Sequence, residues 1–206
     1  MADTLDFPRR SKRGEPVWEL ALLEFPLQGQ WTEEEFLQKD LPNVEFVDGC
    51  LEFLPVPTEK HQMMLEFFFL ALNAFVTPKK LGKVHVAGLR VRTVPRQIRL
   101  PDVAFVRAEN FNKRDNIAWR GADLVFEVVS PGGEGRERDT VVKREEYARA
   151  GIAEYWIADY EKGVLLVLAL QGDKYVEHSV AKRGEIARSK LLPGFEVKAA
   201  ELLDAE

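Results

Sequence analysis

Seven residues near the middle of the chain constrain the fold more than any others: Asp123-Leu-Val-Phe-Glu-Val-Val129. The run is short, almost continuously β-forming, and closed by Ser130-Pro131-Gly132-Gly133. Such a segment reads as a central strand covered on both faces. Its one discordant residue is Glu127. Period-2 alternation puts Glu127 on the same face as Val125 and Val129. An unpaired carboxylate buried there costs several kcal/mol, roughly, or takes up a proton. A bound divalent cation removes that cost by supplying the opposite charge. Two other readings stay open: a solvated face on an edge strand, or a pairing with an arginine.

The residues after this strand extend the constraint. A polar helix is expected over about Thr140 to Ala150, stopped by Gly151 as a left-handed cap. Glu154-Tyr-Trp-Ile-Ala158 is the next strand. Strand, helix, strand in that order implies a crossover in a partly parallel sheet. Val164–Leu170 and Lys174–Val180 add an antiparallel pair, turned at Gln171-Gly172-Asp173. A last strand and a short helix over Ala199 to Leu203 come after Leu192-Pro193-Gly194.

Upstream, Thr32 and Glu35 form a capping box for a helix from Glu33 to about Lys39. Asp48-Gly49 lies between two strand-like runs and predicts a tight hairpin. Glu59 to Phe75 is the strongest helix in the chain. Its apolar residues nearly encircle it, so it is expected to be buried against a sheet. Strands are then expected near Val84–Val94 and Ile98–Val106, with Leu100-Pro101 at a strand opening or edge.

The chain has 206 residues, 46% of them hydrophobic, which is enough for one sizeable core. One domain is therefore expected over residues 17–206. Residues 1–16, with Arg9, Arg10, Lys12 and Arg13 among Pro, Gly and Ser, are expected to be a flexible segment. A single cysteine, Cys50, excludes a disulfide framework and a thiolate zinc cluster. No apolar leader or membrane-length run is visible, so a cytoplasmic protein without a membrane contact is the default expectation. The formal charge of -5 disfavours a protein that coats nucleic acid. It leaves room for an enzyme that needs only a local basic patch.

Three further residues join Glu127 as candidates. Asp102 follows Pro101 and opens an apolar run, and two strand carboxylates are a natural pair for Mg²⁺. Lys143 lies on the helix directly after the Glu127 strand, sharing faces with Asp139 and Tyr147. A lysine there can steady charge on a phosphate. Glu45 stands in the hairpin between Val44 and Phe46. Candidate substrate contacts are His61, which opens the long helix, with Arg90, Arg138 and Tyr147. Arg90, Arg92, Arg96, Arg99, Arg136 and Arg138 could together form a backbone-binding rim.

These pieces carry a resemblance. Pro101-Asp102 followed by Glu127-Val-Val in an apolar strand resembles the PD-(D/E)XK nuclease superfamily. Glu45-Phe-Val-Asp-Gly49, Pro101 to Val106 and the block from Asp123 to Asp159 are similar to a bacterial family named as "putative restriction endonucleases". Leu191-Leu-Pro-Gly194 also fits, and the likeness spans Trp31 to Leu203. It implies an α/β (mixed α+β) restriction-endonuclease-like core, a mixed β-sheet flanked by helices. It implies Mg²⁺-assisted hydrolysis of DNA, with Mn²⁺ able to substitute. Asp102 and Glu127 would bind the metal, helped by the Val128 carbonyl, with Glu45 as a further acidic residue.

One position departs from the pattern. The superfamily places a lysine two residues after the glutamate, where this chain has Val129. Lys143, displaced to the following helix, is the expected replacement. Besides the nuclease, a non-catalytic binding protein on the same fold and another metal-assisted phosphohydrolase remain alternatives. Cutting both strands of DNA would favour a homodimer, and Trp31 and Trp119 are candidate contacts for it.

Overall fold

The computed structural model describes residues 26–130 and 132–206. The expected flexible segment at residues 1–16 lies outside the described residues.

Three sheets form among the described residues, and the two larger ones organise the fold. The smaller of these two has the order β2-β1-β5-β4, from β1 (Val44–Val47), β2 (Cys50–Phe53), β4 (Val91–Arg92) and β5 (Gln97–Arg99). The larger has the order β10-β9-β8-β7-β6-β3. Its strands are β3 (Gly82–Val86), β6 (Val103–Arg107), β7 (Leu124–Val128), β8 (Glu154–Asp159), β9 (Val164–Gln171) and β10 (Lys174–Lys182). β7 and β8 pair parallel, whereas the other neighbours in this sheet are antiparallel. The sheet is therefore mixed, as expected.

Local sequence explains the entry to this architecture. Helix α1 (Glu33–Gln38) carries its capping box, with Thr32 Oγ1 accepting from the Glu35 amide and Glu35 accepting from the Thr32 amide. The β1–β2 hairpin turns on Asp48 (φ 48°) and Gly49 (φ 87°), both left-handed. At Gly49 a Cβ would also meet the Gly29 carbonyl oxygen at 2.6 Å, so only glycine fits.

Helix α2 (Glu59–Val76) lies across one face of the large sheet. Phe68 stacks on Phe126 of β7 with ring centroids 4.0 Å apart. Only one stripe of α2 is buried: Met64, Leu65, Phe68, Leu72 and Val76. Leu70 is half exposed, so the nearly all-round apolar helix is less enclosed than expected. The short helix α5 (Ala199–Leu203) joins the same face. Behind the other face runs the helix after β7. It consists of α3 (Gly133–Glu137), a π-helical turn (Arg138–Val142) and α4 (Lys143–Arg149). It begins well before the expected Thr140.

The strands expected over Val84–Val94 and Ile98–Val106 are each divided. Gly88, at φ 82°, separates β3 from β4. Leu100 to Asp102 carries the chain from the small sheet into the large one. Pro101 has no amide to donate to a ladder, so neither sheet can run through it. Asp102 thus stands at the junction of the two sheets. Trp31 and Trp119 are both buried, which removes them as surface contacts.

A second buried acid anchors the C-terminal part. Glu154 of β8 accepts from the Trp156 indole, the Ser189 hydroxyl and the amides of Lys190 and Leu191, at 2.6–2.8 Å. Glu154→Ala strands four donors and is expected to cost about 3–5 kcal/mol in urea unfolding. A loss under about 1 kcal/mol would show that these donors find other partners. Among the described residues no helix is long and apolar enough to cross a membrane.

Candidate functional site

Sheet register brings the first two acids together. β6 and β7 pair antiparallel with Val103 opposite Phe126 and Ala104 opposite Val125. One step further along this register, Asp102 faces Glu127. The Asp102 Oδ2 accepts from the Val128 amide at 2.8 Å and lies 3.1 Å from His61 Nε2. The Glu127 Oε1 accepts from Lys143 Nζ at 2.9 Å and from the Tyr147 hydroxyl at 2.7 Å. Each carboxylate therefore has one oxygen tied back into the protein. The other two oxygens, Asp102 Oδ1 and Glu127 Oε2, take no hydrogen bond from the described residues. Both side chains line a cleft of about 200 Å³, with His61, Arg138, Asp139 and Lys143 on its walls.

Glu127 lies on a fully buried central strand, which excludes the solvated edge reading. Its partner is a lysine rather than an arginine. Lys143 is itself buried, and it also lies 3.3 Å from Glu45 and 3.7 Å from Asp139. The π-helical turn is part of this arrangement. Lys143 donates its amide to the Arg138 carbonyl, five residues back, so one extra residue is accommodated before α4. Asp139, Lys143, Glu146 and Tyr147 then all point into the buried side.

Burial pushes the Glu127 carboxyl up to about 8, opposed by Lys143 and reinforced by Asp102, Asp139 and Glu45. For Lys143, burial works against the charged form, but Glu127, Glu45 and Asp139 outweigh it and hold the ammonium protonated. Burial also raises Tyr147 well above the usual phenol value, so it remains a donor. The cluster has more carboxylates than its cations neutralise, and Glu127 is the one that burial and its acidic neighbours drive toward the protonated form.

A second layer supports Lys143. Arg99 is fully buried and donates to Glu146 Oε2 at 2.8 and 2.9 Å, to Glu45 Oε2 at 2.9 Å and to Glu52 Oε2 at 2.8 Å. Glu45 also accepts the Leu100 amide at 3.0 Å. Burial would raise the Glu45 carboxyl, yet Lys143 and Arg99 hold it below its usual value.

The expected residues divide into three groups. Asp102, Glu127, Lys143, His61 and Arg138 meet at the cleft. Glu45 and Tyr147 touch the same cluster from behind, fully buried, rather than lining the cleft. Glu45, expected as a metal ligand, instead braces Lys143, and Tyr147, expected at the substrate, braces Glu127. Arg90 lies elsewhere. It donates to the Leu37 and Lys39 carbonyls and covers the Phe36 ring.

The six-arginine rim is not formed. Arg99 is in the core, Arg92 pairs with Glu33, Arg96 lies by Asp48, and Arg136 pairs with Asp159 and Glu161. Arg138 alone of the six lines the cleft, donating to Asp139 at 3.2 Å and to Ser130 Oγ at 2.9 Å. Sequence reasoning missed Asp139 and Glu146 as site residues. It placed Arg99 in the rim, whereas the guanidinium is buried among carboxylates.

Among the described residues, no three His, Cys, Asp or Glu side chains converge as a ready-made metal cage. The two unpartnered carboxylate oxygens suit a different kind of ion. Mg²⁺ typically takes one or two carboxylates and fills its octahedron with water and substrate phosphate. The donor set therefore fits a hard divalent cation, which would take the place of the proton that burial favours on Glu127.

A family model described as "Uma2: Putative restriction endonuclease" matches residues 30–203. No curated protein matches the chain. A solved structure titled as a putative nuclease of DUF820 from Anabaena variabilis superposes with a TM-score of 0.67 at 16% identity. The match covers 87% of this chain and 98% of that one. At that identity the likeness shows the fold, a mixed sheet flanked by helices.

Proposed function

Because this chain belongs to the Uma2 family, we propose that it is a nuclease that hydrolyses DNA phosphodiester bonds with a divalent cation. The observation that carries the proposal is one cleft holding two facing carboxylates, each with an unpartnered oxygen, beside a buried protonated lysine. Asp102 and Glu127 would hold Mg²⁺, or Mn²⁺ in its place. When bound, the cation would polarise a phosphoryl oxygen and offset charge in the transition state.

The chain's own residues do the rest. Lys143 sits 2.9 Å from Glu127 and cannot turn to solvent, because Glu45 and Asp139 hold it from two other sides. A preorganised ammonium stabilises developing negative charge without reorganising during the reaction. This is the role that Val129, two residues after Glu127, cannot fill. Arg138 offers a second cation on the cleft wall for a neighbouring phosphate. The homodimer that double-strand cutting would favour belongs to the same proposal.

Calorimetry with Mn²⁺ and cleavage of plasmid DNA, on intact protein and Glu127→Ala, test this reading. Intact protein is expected to bind and cut. Glu127→Ala is expected to lose both, with cleavage falling at least about 10³-fold. Folded intact protein that binds no Mn²⁺ and cuts nothing would overturn the proposal. Mn²⁺ uptake without cleavage would support the non-catalytic reading that Val129 and the acidic charge favour. Cleavage confined to RNA or nucleotides would point to another phosphohydrolase.

A further inference from the structure

We propose that His61 fixes the Asp102 carboxylate for cation binding, holding back Oδ2 so that Oδ1 is presented to the cleft. The inference rests on the proposed metal role of Asp102 and adds a positioning residue to it.

His61 stands in the first turn of α2, where its amide donates to the Thr58 Oγ1 cap at 3.2 Å. The backbone beneath the ring is therefore fixed. So is the helix, whose next turns bury Met64, Leu65 and Phe68 against the sheet. From this base the ring reaches across to Asp102, with Nε2 3.1 Å from Oδ2. The same oxygen accepts the Val128 amide at 2.8 Å. Two nitrogens from different elements, the imidazole at a helix start and the Val128 amide of the central strand, thus converge on one oxygen. A carboxylate turns easily about its terminal torsion. Two such contacts select one orientation and leave a single oxygen for a ligand.

The other ring nitrogen argues against a purely structural histidine. His61 Nδ1 is buried without a hydrogen-bond partner among the described residues. An unsatisfied buried polar atom costs about 1–3 kcal/mol. An apolar ring would fill the same space without that cost. Among the described residues, the polar contact of the imidazole is the one with Asp102, 3.1 Å away, so its polar function lies there. Groups that orient a metal-binding side chain in this way commonly change metal affinity by about 10- to 100-fold.

The test is Mn²⁺ calorimetry on the full chain. His61→Phe keeps the ring and removes the donor, and is expected to weaken binding about 10- to 100-fold. His61→Gln can place an amide nitrogen near the Nε2 position, and is expected to recover most of the affinity. In an Asp102→Asn background, His61→Phe is expected to change little further, because the carboxylate it positions is gone. Should His61→Phe fail to fold, His61→Asn replaces it. Its amide stops short of Asp102, and the same loss is expected. Intact protein and His61→Phe binding Mn²⁺ equally would overturn this inference and leave the nuclease proposal standing. So would a His61→Gln protein as weak as His61→Phe, or an undiminished loss in the Asp102→Asn background. Intact protein that binds no Mn²⁺ would overturn both.

Discussion

A Lys143→Met protein is expected to bind Mn²⁺ at least as tightly as the intact chain, yet to cut DNA about 10²- to 10³-fold more slowly. The two halves of that result have different causes. Lys143 supplies no ligand atom, and its ammonium is a positive charge 2.9 Å from Glu127. Removing it lowers the electrostatic cost of placing a cation beside the same carboxylate. On the proposed mechanism, cleavage falls because the fixed positive charge beside Glu127 is lost, and Val129 has no donor to replace it. The substitution also leaves Glu127, Glu45 and Asp139 without their shared cation. A loss of about 3–5 kcal/mol in stability is expected without metal, and part of it should return when Mn²⁺ is added. Single-turnover cleavage at saturating Mn²⁺, with melting curves in its presence and absence, measures both effects. Cleavage within a few-fold of the intact protein would mean that Lys143 is a structural counter-ion only. Lys143→Arg is not expected to rescue, because the site is closed around a compact ammonium and a planar guanidinium needs a different shape.

The sequence made Glu127 legible because a charge inside a continuous apolar strand conflicts with everything beside it. Asp102 was legible through Pro101, which cannot lie within a ladder and so marks a place where strands change. The parallel β7–β8 pair followed from strand, helix, strand order, and the β1–β2 hairpin from Asp48-Gly49. These signals are local. The features that stayed hidden depend on residues far apart in the chain. Arg99 resembles its surface neighbours Arg92 and Arg96 until it meets Glu45 and Glu146, 54 and 47 positions away. Nothing in Ile98-Arg99-Leu100 alone says whether the guanidinium turns outward or into a carboxylate nest. The π-helical turn was hidden for a related reason. One extra residue in Arg138–Val142 has no composition of its own, yet it sets the phase at which Asp139 and Lys143 face the strand. Glu45 and Tyr147 were read as parts of the site, and they do touch it. Tyr147 stands behind the cleft because of how α4 packs against the large sheet, and Glu45 because of how the small sheet docks on the large one.

That docking gives the second large effect. Arg99→Met is expected to destabilise the protein by about 3–5 kcal/mol at pH 7, lowering the melting temperature by roughly 6–20 °C for a chain of this size. Methionine fills much of the space, so packing is not the main loss. Glu45 and Glu146 stay buried without the guanidinium that bridges them. Linkage fixes how the loss should vary with pH. In the intact protein Lys143 and Arg99 hold the Glu45 carboxyl below its ordinary value of 4.5. Glu45 then adds stability above that value and loses it as the pH falls through the lower, folded value. Without Arg99 much of that contribution is gone, and the buried Glu45 carboxyl loses a cation that opposed the effect of burial. The deficit of Arg99→Met is therefore largest near neutral pH and shrinks as the pH falls toward 4.5 and below. Urea unfolding of both proteins at several pH values between about 4 and 8 measures it. A deficit that stays constant over that range would place the cost in packing. A deficit that grows toward acid would contradict the carboxylate nest itself.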